Sequence, residues 1–88
     1  MMYGKCFKYD NGEFIMVRSG ECNGLVDCTR IRFDEYYAHL AKGSLLNAQY
    51  IRDHYTEITL SDFTKAYKDF LQAADVIYKD AIKEREGE

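Results

Sequence analysis

Residues 60–83 read LSDFTKAYKDFLQAADVIYKDAIK, and their periodicity decides the fold. Leu60, Phe63, Tyr67, Phe70, Ala74, Ile77 and Ala81 recur at alternating spacings of three and four, the repeat of one face of an α-helix. Ala66, Leu71 and Tyr78 widen that face, so the segment is an amphipathic helix that must lie on an apolar surface. Thr59 or Ser61 supplies a capping hydroxyl, and Asp62 in the first turn suits the helix dipole. Residues 83–88 are charged, contain Gly87, and are expected to fray.

The surface for this helix is encoded upstream. Residues 3–9 alternate, with Tyr3, Lys5, Phe7 and Tyr9 on one side, and Asn11-Gly12 comes next as the dipeptide of a type I′ hairpin turn. Residues 13–19 read as the return strand, with Phe14 and Met16 on one face and Ile15 and Val17 on the other. After the turn chemistry of residues 19–24, residues 25–33 read as a third strand rich in β-branched side chains. Asp34 is placed to cap a short helix through Ala41, pairing Tyr36 with Leu40 and Tyr37 with Ala41, with Lys42-Gly43 as its stop. Residues 44–54 fit strand and helix equally, because Leu46, Ala48 and Tyr50 alternate while Leu46, Tyr50 and Ile51 share a helical face. The expected fold is therefore α+β: an N-terminal antiparallel β-meander of three or four strands, a short middle helix, and the long C-terminal helix.

Composition narrows the function. A chain of 88 residues without Pro, repeats or linkers makes one domain, residues 1–88. A net charge of −3 opposes general binding to nucleic acid or anionic membranes, which requires a positive field. The first residues lack the apolar core of a secretion signal, and three cysteines without C-x-x-C spacing suit reduced thiols, so a cytoplasmic location is expected. Eight Tyr and five Phe supply large apolar area, in Tyr with a polar tip, a composition that suits binding surfaces.

Three groups of residues are candidates for binding or chemistry. About 24 helical residues span ~36 Å, more than a domain with a radius of gyration of about 12 Å can cover. The helix should therefore overhang its sheet and expose Leu71, Val76, Ile77 and Tyr78, with Tyr36 and Tyr37 nearby, as a protein-binding surface. Arg18, Arg30 and Arg32 would share a sheet face if strands two and three pair, giving an alternative nucleotide- or RNA-binding surface; acidic Glu13, Asp27, Asp34 and Glu35 are close enough in sequence to neutralise it. Glu35 with His39, His54 with Asp53, and Cys22 with Cys28 match no ligand spacing, so no metal or cofactor is expected. No nucleophile elbow or phosphate-binding loop is present, and no catalytic residue can be named.

Residues 55–63, YTEITLSDF, behind an aromatic-rich meander, resemble the ending of small uncharacterised proteins of phages and mobile elements from Bacteroides-like bacteria. That resemblance implies an intracellular accessory protein that acts by binding, for instance to a host protein, a defence complex or a virion component. No site residues carry over from it. The expectation is a non-enzymatic interaction module that self-associates or binds a partner protein through the apolar helix face and an aromatic sheet surface.

Overall fold

The computed structural model describes residues 2–86, which form five strands and two helices. In chain order these are β1 (Cys6–Lys8), β2 (Glu13–Val17), β3 (Leu25–Phe33), β4 (Ala38–Asn47), α1 (Ala48–His54), β5 (Thr56–Ile58) and α2 (Leu60–Glu86). The strands make one sheet in the order β4-β3-β2-β1-β5, and every adjacent pair is antiparallel. The α+β class, the meander and the long C-terminal helix are present, and a short helix is present too, at Ala48–His54.

Both faces of the sheet are covered, which explains why both faces of the early strands carry apolar residues. Phe7, Ile15, Val17, Val26 and Cys28 pack with Ala48 and Ile51 of α1 on one face. Cys6 and Ile31 pack with Phe63, Ala66 and Phe70 of α2 on the other, joined by partly buried Phe14, Met16 and Phe33. Ile15, Val17, Val26, Cys28 and Ile31 are wholly enclosed. At about 25 cal/mol per Å² of apolar surface removed from water, these side chains supply most of the folding drive.

The helix expected at Asp34–Ala41 is not there; β4 occupies most of that stretch. Asp34 does accept from the backbone N–H groups of Tyr36 and Tyr37 (2.7 and 2.9 Å), as a helix cap would, but it closes the β3–β4 turn. Capping geometry of this kind serves a turn as readily as a helix. The segment after the turn becomes a strand because β3 would otherwise leave nine residues unpaired on one side. Lys42-Gly43 is likewise no helix stop. Cys28 pairs with Ser44 and Arg30 with Ala41, so two residues of β4 oppose Thr29 alone, a β-bulge in which Gly43 takes φ +72°. Residues 44–54 divide, strand to Asn47 and then α1, whose N-cap is the Asn47 side chain accepting from Tyr50 N–H (2.9 Å).

The two Asn-Gly pairs do different work. At Asn11-Gly12 only Gly12 has positive φ, and Tyr9 N–H donates to the Glu13 carbonyl, so the loop has three residues instead of the expected type I′ turn. Type I′ geometry occurs at Asn23-Gly24, where both residues have positive φ and Cys22 and Leu25 exchange two backbone hydrogen bonds. α2 starts on Thr59: Asp62 N–H donates to its hydroxyl (3.0 Å) while the Asp62 carboxylate accepts from Thr59 N–H (3.3 Å). The helix runs on to Glu86, past the expected fraying point at Lys83, with Lys83 and Arg85 favourably placed in its last turn.

Candidate interaction surface

α2 is longer than the sheet that supports it. Its buried residues, Phe63, Ala66 and Phe70, all lie in the first eleven of its 27 residues. Beyond Phe70 the remaining sixteen residues, about 24 Å of helix, contribute no buried side chain. The molecule extends 52 × 23 × 18 Å with a radius of gyration of 15.1 Å, against about 12 Å for a compact chain of this length.

The exposed apolar residues of α2 are not scattered. Leu60, Tyr67, Leu71, Tyr78 and Ile82 are spaced seven, four, seven and four, which at about 100° per residue puts them on one line beside the sheet-facing stripe. Leu71 is 48% and Tyr78 64% exposed. Ile77 continues the sheet-facing stripe into the overhang and is half-buried. Val76, although exposed, sits about 120° round the helix from that stripe, and so does not share a surface with Ile77. Of the expected contact residues, Leu71 and Tyr78 lie on the line, whereas Ile77, about 100° round towards the sheet, and Val76, about 150° round the other way, lie off it. Tyr36 (81% exposed) and Tyr37 stand on the β3–β4 turn, at the end of the sheet where Phe33 meets Phe70 edge-on, with ring centroids 6.1 Å apart.

The expected aromatic sheet surface is covered. Phe14 and Phe33 lie under α2, and Phe7 is in the core on the α1 side. Tyrosines instead gather beside α1: Tyr9 packs on Tyr55 (4.8 Å between centroids), Tyr50 on His54 (4.3 Å), and the Tyr9 and Tyr50 hydroxyls lie 3.4 Å apart. With Arg30, residues of this group line an open cleft between α1 and the sheet.

The arginines do not share a face. Ile15 pairs with Arg30 and Glu13 with Arg32, putting both arginines on the α1 side, whereas Arg18 lines a groove beside α2 with Met16, Thr29, Phe63 and Tyr67. Arg30 is already engaged. It donates from Nε and Nη2 to one oxygen of Glu13 (3.1 and 2.5 Å), and the Tyr55 hydroxyl donates to the other. Glu13 is the buried charged residue among those described, so this is a structural network. Burial, then the bond to Glu13, pushes the Tyr55 hydroxyl above its ordinary value, and the carboxylate raises Arg30 further. The Arg32 guanidinium sits 6.0 Å over the Tyr37 ring. Sequence reasoning missed the network because Tyr55 and Glu13 are 42 positions apart; the one available signal was a Glu in the core-facing phase of a strand.

Among the described residues no cluster of three potential ligands could hold a metal ion. Glu35 lies in the β3–β4 turn and His39 in β4, so the two do not share a helix face. Cys6 and Cys28 are buried on opposite faces, Cys22 is exposed, and all three are free; burial pushes the Cys28 thiol up to about 11. No helix among the described residues is long and apolar enough to cross a membrane. No family model, curated protein or solved structure matches this chain.

Proposed function

We propose that the chain is a non-enzymatic protein-interaction module of the cytoplasm that docks another protein surface along the exposed side of α2. The observation that carries this reading is the overhang: sixteen helical residues beyond Phe70 present Leu71, Tyr78 and Ile82 on one line, and nothing among the described residues covers them. An isolated helical extension is marginal in water, and apolar residues along it are worth retaining where a second surface removes them from solvent. Tyrosine suits such a surface, since its ring gives area while its hydroxyl keeps the free chain soluble.

The test combines light scattering with affinity capture from nuclease-treated, reducing lysate of the native host, using the full chain and the variant Tyr78→Asp. The expected result is a stoichiometric complex, with itself or with one protein, lost on substitution while circular dichroism stays that of the folded chain. A monomer that captures nothing, or a complex indifferent to the substitution, overturns the reading.

A further inference from the structure

Three surfaces are left open. The first is the line Leu60, Tyr67, Leu71, Tyr78, Ile82 along α2. The second is the groove beside α2, about 260 Å³, floored by Met16 and Thr29 and edged by Arg18 and Tyr67. The third is the edge strand β4, where Leu45, opposite Asp27 in register and at the rim of the α1 cleft, is 66% exposed. α2 stops short of covering the sheet around Met16 and Thr29, while its own distal half buries no side chain.

Resting on the interaction reading above, we infer that the surface docking here is a second copy of this chain, its α2 lying antiparallel to the first about a two-fold axis near residues 72 and 73. The alternation of Leu60, Thr64, Tyr67, Leu71, Ala74, Tyr78 and Ala81 at four and three is the seam spacing of paired helices. With the axis between 72 and 73, Leu71 faces Ala74 and Tyr67 faces Tyr78, each pairing occurring twice. Large side chains then meet small ones at the centre, and the overhang of each copy lies along the groove of the other.

Charge fits the same register. Lys68 and Asp75 flank the seam on one side and are brought together across the axis, Lys68 of each copy beside Asp75 of the other. Lys68 forms no ion pair among the described residues, and Asp75 uses one oxygen towards Lys79 (2.9 Å) in an exposed pair. On the groove side, Glu84 of the second copy comes level with Ser61, two residues from Phe63 at the groove edged by Arg18, which has no ion-pair partner among the described residues. In a parallel pair the two overhangs would meet only each other, and neither would lie beside the sheet of the other copy.

Size sets the affinity. A helix of about 40 Å in contact over a strip about 11 Å wide buries roughly 900 Å² in total, and the groove contacts raise this to around 1,000 Å², the lower bound for a specific interface. The dimer should therefore dissociate in the micromolar range.

The experiment is sedimentation equilibrium on the full chain at low salt, with Lys68→Asp, Asp75→Lys and the double exchange, together with pulsed electron spin resonance on a spin label at Lys83→Cys in a Cys22→Ser background. The expected outcome is a dimer, weakened about fivefold or more by either single reversal and restored by the double. Because residue 83 lies opposite residue 62 in this register, the two labels should be about 32 Å apart along the axis. A label separation near 15 Å, or a dimer indifferent to both reversals, overturns the antiparallel arrangement and leaves docking along α2 standing. A monomer that still captures a different protein through Tyr78 overturns the inference alone, and a monomer that captures nothing overturns both.

Discussion

Replacing Tyr55 with Phe removes one oxygen atom and tests the Glu13 network. The Phe ring keeps the contacts that Tyr55 makes with Tyr9 and Tyr50, at centroid distances of 4.8 and 6.4 Å, so packing should be conserved. What is lost is the donor to one of the two carboxylate oxygens of Glu13, a residue only 4% exposed. A hydrogen bond to a charged group contributes ~1.5–3 kcal/mol, and leaving a buried acceptor unsatisfied falls in the same range. A loss of about 2 kcal/mol is expected. For a chain of this length each kcal/mol moves the melting temperature by roughly 4–8 °C, so Tm should fall by about 10 °C. Arg30→Met should cost more, because it strands the buried carboxylate without its counter-charge, whereas the guanidinium itself is partly in water. Urea denaturation followed by circular dichroism at pH 7 measures both. A Tyr55→Phe loss below about 0.5 kcal/mol, or a larger loss than for Arg30→Met, would refute the view that Glu13 depends on these donors.

Alkaline pH should destabilise the fold in two steps. The Cys28 thiol, raised from 9.0 to about 11, and the raised Tyr55 hydroxyl both favour the protonated form in the folded state, so their contribution is intact below pH 9 and is lost as pH rises. The urea midpoint should hold to about pH 9 and fall above it, and Cys28→Ala should remove the part of the slope between 9 and 11. Gly43→Ala should cost about 1 kcal/mol in thermal melts: the position is open space, so the penalty comes from φ +72° alone, and a neutral result would mean the bulge relaxes. Phe70→Ala should cost ~3–5 kcal/mol of stability, whereas Leu71→Asp, on the exposed line, should leave the melt within about 1 kcal/mol of the parent and abolish association; global unfolding by Leu71→Asp would place that residue in the intrachain core.

The sequence was most legible where a repeat runs long. α2 declares itself through seven periodic residues and a capping pair at Thr59 and Asp62, and its overhang emerges from counting residues against domain size. β2 and β3 were readable from alternation and turn chemistry. β4 was not: Asp34, Tyr36, Tyr37 and Gly43 carry the local marks of a short helix, and the demand that made the segment a strand, the unpaired side of β3, is a tertiary one. The same holds for the arginines. Their spacing suggested a shared face, but residues 18 and 30 lie on opposite faces because Val17 pairs with Cys28. Within the candidate surface, Leu71 and Tyr78 were recoverable from helical phase, and the same phase argument excludes Val76.

The order of strands also dictates the order in which the domain can be completed. β1 to β4 are joined by short local loops, but β5 sits at the far edge from β4, and the chain reaches it only by carrying α1 across three intervening strands. Contacts between β1 and β5 close a loop of about 50 residues, from Cys6 to Ile58, whose entropy must be met before they add anything. During synthesis the meander can form as soon as Asn47 has emerged, yet one face stays bare until the last third of the chain is made. α2, which carries the proposed contact with a second copy, is thus also the late-arriving lid of its own core. Assembly should come after folding in this protein, and nascent chains halted before Phe70 should be the species that chaperones hold longest.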